Sequence, residues 1–195
     1  MTTRRIASLS LAGMALAASL FTALPAMAQN ATPKVQIKTS RGDLVLELNE
    51  AKAPKTVANF MQYVRDKHYD GTVFHRVMDG FMIQGGGMDA SLKEKPTRAP
   101  IPLEADNGLK NDRGTIAMAR TGNPNSATSQ FFINVVNNDM LNAPKPDGHG
   151  YAVFGRVVQG MDVVDKIRTV ATGNQGMHQN VPTKPVTILS ATEVK

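Results

Sequence analysis

The 195-residue chain has a formal net charge of +6, 11 prolines, 16 glycines and no cysteine, a length that suits about one domain with a core of its own. The missing cysteine excludes a disulfide framework, thiol catalysis and thiolate-rich zinc sites. The basic residues form no block with interleaved aromatics, so no nucleic-acid footprint is expected, and histidines 68, 75, 149 and 178 show no paired ligand spacing, so no metal or other cofactor is expected.

The chain opens with Met1-Thr2-Thr3-Arg4-Arg5, continues as an apolar run from Ile6 to Leu24, and reaches Pro25-Ala26-Met27-Ala28 before Gln29. A charged start, an apolar middle and a small-x-small ending are the parts of a secretory signal peptide. Residues 1–28 are therefore expected to be a leader cleaved after Ala28, and residues 29–34 a short extension. Alanine and serine make the run a poor bilayer span, so no stable membrane insertion is expected after cleavage. Arg4-Arg5 also fits twin-arginine export, but no prefolded cofactor is evident and the general route is expected.

From residue 35 the pattern is that of one β-rich domain. Val35, Ile37 and Thr39 alternate with polar neighbours, Ser40-Arg41-Gly42-Asp43 reads as a turn, and Leu44, Leu46 and Leu48 resume the period of two, which predicts a hairpin. Pro54 then opens a segment with Val57, Phe60, Met61 and Val64 on one helical face. Between Thr72 and Phe154 short apolar runs alternate with turn chemistry such as Asp79-Gly80, Gly85-Gly86-Gly87, Asn107-Gly108 and Asp147-Gly148, which predicts a barrel or sandwich. Met161, Val164 and Ile167 mark a second helix, with Asp162 in its first turn and Lys166 and Arg168 toward its end. A last strand is predicted from Val186 to Val194.

Five motifs in order carry a family likeness: Phe74-His75-Arg76-Val77, Phe81-Met82-Ile83-Gln84-Gly85-Gly86, Gly114-Thr115-Ile116-Ala117-Met118-Ala119-Arg120, Ser129-Gln130-Phe131-Phe132-Ile133 and Val153-Phe154-Gly155. Over residues 33–195 the chain resembles the cyclophilin-type peptidyl-prolyl cis-trans isomerases, most of all the exported bacterial members. The resemblance implies a mainly β fold, a closed eight-stranded antiparallel barrel capped by two α-helices, with the peptide site on an outer face. It also implies a periplasmic enzyme that acts on unfolded or flexible proline-containing polypeptides without a cofactor. Nothing in the chain suggests an assembly motif, so a monomer is expected.

The reaction explains the residue types. Rotation about an X-Pro bond is slow because amide resonance stiffens the C–N bond, with a barrier of roughly 20 kcal/mol. As the bond twists, the nitrogen lone pair leaves conjugation and becomes a hydrogen-bond acceptor. A donor aimed there stabilises the transition state more than the ground state.

By resemblance Arg76 is that donor, and Arg76, Phe81, Gln84 and Phe132 form the catalytic set. Phe81, Met82 and Phe132 would hold the prolyl ring with Leu141 along the wall. Gln84 and Gln130 suit a peptide carbonyl or an orienting bond to Arg76, and Ala119 and Arg120 would line the groove through their backbone. Met140 stands where the best-known eukaryotic members carry Trp, and Tyr151 where they carry a site histidine. Without the indole N–H, binding of the inhibitor cyclosporin is expected to be weak.

Phe131 and His75 neighbour groove residues on strands and are expected to face the core. Two other functions fit some of these features. A peptide-capturing chaperone module would use the same groove with isomerisation incidental. A hydrolase built on His75 or His149 lacks a Gly-x-Ser-x-Gly elbow and has little support.

Overall fold

The computed structural model describes Met1 and residues 32–194. Apart from Met1, the expected leader lies outside the described residues, as do residues 29–31 of the extension. The predicted hairpin is β1 (Lys34–Thr39) and β2 (Gly42–Leu48), paired antiparallel about Ser40-Arg41. Its alternation is strict: Val35, Ile37, Leu44, Leu46 and Leu48 have no exposed surface.

Helix α1 (Pro54–Arg65) buries Val57, Phe60, Met61, Tyr63 and Val64. Its residue before the first turn, Ala53, offers no side-chain cap. The Glu104 carboxylate takes that place from afar, accepting the backbone N–H of Lys55 (3.1 Å) and of Thr56 (2.9 Å) and the Thr56 hydroxyl (2.7 Å). An anion there also suits the positive end of the helix dipole.

The strands that follow are short: β3 (Arg76–Met78), β4 (Met82–Gly85), β5 (Thr115–Met118), β6 (Phe131–Asn134) and β7 (Val153–Gln159). Helix α2 (Met161–Arg168) begins at Gly160, whose φ of +83° favours glycine and where a Cβ would lie 2.4 Å from the Asp43 carbonyl oxygen. The chain then forms β8 (Thr172–Gln175), β9 (His178–Pro182) and β10 (Ile188–Val194).

Eight strands join in the order β10-β1-β2-β7-β5-β6-β4-β3, every pairing antiparallel, while β8 and β9 form a separate hairpin. The fold is thus mainly β, a curled eight-stranded antiparallel sheet with two helices. The strand ladder ends at β10 and β3, which do not pair with each other. Its two ends approach through the chain ahead of each edge strand, where Val73 bridges Thr187 and Phe74 N–H donates to the Val186 carbonyl at 2.9 Å.

The β8–β9 hairpin was not expected from the sequence. Thr172-Gly173-Asn174-Gln175 is exposed at every position, so it carries no apolar alternation to announce a strand.

Inside the curl, Phe60 of α1 meets Phe131, Phe154 and Tyr69 at ring-centroid distances of 5.7, 5.2 and 5.1 Å. The Phe60–Phe131 pair is edge-on, a geometry that adds to the area buried. His75 lies on the same inner side, 5% exposed, with Nδ1 unbonded and its pKa lowered to about 4, first by burial and then by nearby His178. It takes no part in the outer face.

Because His75 holds fewer protons folded than unfolded, its contribution is complete above pH 6.5 and is lost as pH falls toward 4. The difference of the two values is worth about 3 kcal/mol. Urea unfolding from pH 7 to 4 should show stability falling through that window. A folded His75→Leu protein should show a shallower decline, and an unchanged decline would rule out His75 as its source.

Candidate active site

Strand register assembles the site. Arg76 pairs with Gln84 across β3 and β4, Gln84 with Phe132 across β4 and β6, Phe132 with Ala117 across β6 and β5, and Ala117 with Val153 across β5 and β7. Directly opposed residues share a face. One row of side chains therefore crosses the outside of five strands, with Arg76 at one end and Phe132 at its centre. The offset row, Val77, Ile83, Ile133 and Ile116, faces the core.

On the outer face Met82, Ala117, Phe132, Leu141 and Val153 form an apolar cluster separate from the main core. Met78, Phe81, Leu109, Ala119 and Tyr151 pack around it, partly exposed. Hence Phe81, Met82, Ala119, Phe132, Leu141 and Tyr151 come together. Met140, beside Leu141 on the turn Asp139–Leu141, does not: it is 60% exposed and projects from the cluster.

The two arginines of the site differ sharply. Arg76 is half-buried and, among the described residues, its guanidinium makes no hydrogen bond or ion pair. The Arg120 side chain is 1% exposed and spends every donor: Nε and Nη2 on the Gly150 carbonyl (3.0 and 2.7 Å), Nη1 on the Thr121 carbonyl (3.0 Å), and Nη1 and Nη2 on the two Asp147 carboxylate oxygens (2.8 Å each). Its Cζ also sits 4.5 Å from the centre of the Tyr151 ring, which meets Phe132 edge-on at 5.6 Å. The expectation that Arg120 serves through its backbone thus misses its side chain, which clamps the loop Asn142–Gly150 against the cluster.

Gln84 Nε2 donates to Gln130 Oε1 at 3.0 Å, so the pair is linked and Gln84 stands directly opposite Arg76. Gly87 makes room for this pair, since a Cβ there would lie 2.3 Å from Gln130 Cγ. Ala119 N–H donates to the Gln130 carbonyl at 3.0 Å. A recess of about 250 Å³ lies beside the pair, lined by Gln84, Ala119, Arg120 and Gln130 together with Glu94 and Lys95.

Three buried asparagines beneath the cluster were not singled out from the sequence. Asn138 Nδ2 donates to the Phe81 carbonyl (2.8 Å) and to Asn134 Oδ1 (2.7 Å), and Asn134 Nδ2 donates to Asn111 Oδ1 (3.2 Å) and Thr115 Oγ1 (2.9 Å). Asn111 Nδ2 reaches the carbonyls of Leu141 (3.2 Å) and Tyr151 (3.4 Å). One signal was available: Asn134 lies two residues from Phe132 on a strand and so shares its face.

The model of the cyclophilin type peptidyl-prolyl cis-trans isomerase/CLD family matches residues 34–193. The chain belongs to this family. It is 60% identical over 159 residues to the peptidyl-prolyl cis-trans isomerase cyp18 of Streptomyces antibioticus, covering 80% of this chain and 96% of that protein. It is 58% identical over 160 residues to peptidyl-prolyl cis-trans isomerase B of Escherichia coli K12, covering 81% and 98%. The fold matches the crystal structure of a Cryptosporidium parvum cyclophilin determined in the presence of the dipeptide Ala-Pro, with a TM-score of 0.69 and 27% identity over 83% of this chain and 99% of that one.

The Arg120 clamp of this cyclophilin leaves a titration signature. Asp147 is held at a pKa of about 2 rather than 3.8, first by its hydrogen bonds to Arg120. Such a carboxylate favours the folded state above pH 3.8 and loses that effect as pH falls through 2. In Arg120→Leu, carboxyl-carbon NMR should find Asp147 titrating near 3.8. A value that stays near 2 would show that the bidentate pair is not the cause.

Proposed function

We propose that this isomerase accelerates X-Pro rotation in exported polypeptides as they fold, with Arg76 donating to the proline nitrogen as the amide twists. The observation that carries the reading is the outer row: a half-buried guanidinium, free of protein partners among the described residues, at the end of a line that runs through Gln84 to Phe132. Arginine is always protonated and presents a planar fork of donors. Leaving that fork unspent keeps it available to a group that accepts only midway through the rotation.

The apolar cluster suits the prolyl ring. Met82, Phe132 and Leu141 supply the buried floor, and Phe81 and Tyr151 the partly exposed rim. Seating the ring removes apolar area from water, worth about 25 cal/mol per Å². The Ala-Pro dipeptide of the Cryptosporidium structure supports a proline-containing ligand. Gln84, tied to Gln130, keeps an acceptor and a further amide proton for a peptide carbonyl or for Arg76. No bond is made or broken, so the reaction calls for no nucleophile, base or cofactor.

The leader composition of residues 1–28 supports cleavage after Ala28 and a periplasmic site of action. We read the active unit as a monomer. The Val73–Thr187 bridge supports reading the curled sheet as a closed barrel. Met140 has no N–H donor, which supports weak binding of cyclosporin.

Arg76→Ala is expected to reduce kcat/KM toward an X-Pro peptide by at least about tenfold, since a charged hydrogen bond is worth about 1.5–3 kcal/mol and 1.4 kcal/mol is tenfold. Exchange NMR on a model peptide measures it, with circular dichroism to establish folding. Unchanged turnover in the folded variant would overturn the assigned role. If a peptide-capturing chaperone were the main function, Arg76→Ala would still suppress client aggregation while Phe132→Ala would not.

A further inference from the structure

We infer that Asn111, Asn134 and Asn138 are positioning residues of the isomerase, a buried amide relay that fixes three walls of the prolyl pocket relative to one another. The inference rests on the reading of the outer cluster as that pocket. None of the three side chains touches the outer row's guanidinium, and none is offered as a group in contact with substrate.

The relay runs between backbone carbonyls at both ends. At one end Asn138 Nδ2 holds the Phe81 carbonyl at 2.8 Å. At the other, Asn111 Nδ2 reaches the carbonyls of Leu141 and Tyr151 at 3.2 and 3.4 Å, and Asn142 Oδ1 at 3.1 Å. Asn134, with no exposed surface, joins them, accepting from Asn138 at 2.7 Å and donating to Asn111 at 3.2 Å. Phe81, Leu141 and Tyr151 come from separate stretches of the chain, and each bounds the cluster around Phe132.

The orientation of every amide follows from those ends. A carbonyl can only accept, so Asn138 must turn its NH₂ toward Phe81 and Asn111 its NH₂ toward Leu141 and Tyr151. Asn111 Oδ1 then faces Asn134, whose NH₂ must donate to it, and Asn134 Oδ1 is left to accept from Asn138. The Thr115 hydroxyl takes the second proton of Asn134 at 2.9 Å. Backbone bonds brace the same region, with Asn138 N–H donating to the Asn111 carbonyl and Leu141 N–H to the Asn138 carbonyl, both at 2.8 Å.

A buried polar group is tolerated only when its bonds are made. Here the full set of bonds is made when Phe81, Leu141 and Tyr151 stand in the positions seen. A wall that moves costs a buried amide one of its hydrogen bonds, so the relay converts a soft apolar contact into a defined geometry.

Asn134→Asp is the direct test. The substituted carboxyl keeps the shape but, when ionised, faces Asn111 Oδ1 with no proton. Neither Asn111, Asn138 nor Thr115 can ionise, and a buried carboxyl titrates above its ordinary range. KM for an Ala-Pro peptide should therefore rise by roughly tenfold at pH 8 relative to the native chain and recover as pH is lowered to 5.5, with kcat changing less. A shifted wall weakens ground-state and transition-state binding alike. Arg76→Ala should instead lower kcat and kcat/KM together.

A folded Asn134→Asp protein with native KM across that range would overturn the inference. Should the variant fail to fold, the native protein decides: the side-chain NH₂ resonances of Asn111, Asn134 and Asn138 should exchange slowly with solvent and shift on titration with Ala-Pro. Resonances that stay unmoved at saturation would also overturn it. If Arg76→Ala proves inactive while the asparagine tests fail, only the relay falls. If Arg76→Ala keeps full activity, the functional reading falls first.

Discussion

A slip of β3 by one residue against β4 would turn Arg76 inward beside Ile83 and Ile133 and put Val77 outside, because neighbouring residues on a strand face opposite ways. No guanidinium rests in an apolar core without partners, as the desolvation cost runs to several kcal/mol. The inner row of Val77, Ile83, Ile133 and Ile116 therefore sets the outer row of Arg76, Gln84, Phe132 and Ala117. What fixes the chemistry on the outside is the packing on the inside. The aromatic group around Phe60 and Phe131 anchors that inner face from α1.

Arg76 and Arg120 show how differently one residue type is used. Arg120 is buried and its charge is met by a bidentate carboxylate and two carbonyls, so it spends its donors on loop geometry. Through Tyr151 that geometry reaches Phe132. Arg76 remains half-exposed and unspent among the described residues, so its donors can answer a change in the ligand. The two arginines differ here in the number of donors still free among the described residues.

Periodicity made much of this legible. The β1–β2 hairpin follows from alternating Val, Ile and Leu, α1 from Val57, Phe60, Met61 and Val64, and α2 from Val164 and Ile167, which are fully buried. The ordered motifs named the residues that share the outer face. The β8–β9 hairpin escaped because an exposed strand has no buried face to mark it. How β10 and β3 approach each other escaped because periodicity does not say where two edges meet. Arg120 escaped because Asp147 and Gly150, its partners, lie 27 and 30 positions further along the chain, beyond β6. Asn111, Asn134 and Asn138 escaped because asparagine reads as a turn residue unless its burial is known.

Acidic residues around the site complete the argument for Arg76. Asp79, three positions along from it, is paired with Arg168 at 2.6 Å, and Arg168 is drawn further to Asp165 at 2.9 Å. Asp147 is committed to Arg120. Beneath the pocket the polar work is done by neutral amides, with donors matched to acceptors. Asp79 and Asp147 thus each have a cation of their own, and the buried amides carry no charge. A carboxylate allowed to reach Arg76 would hold its donors in the ground state and lower the gain on twisting. On the role proposed for Arg76, the pairing of Asp79 with Arg168 leaves one anion fewer to hold its donors.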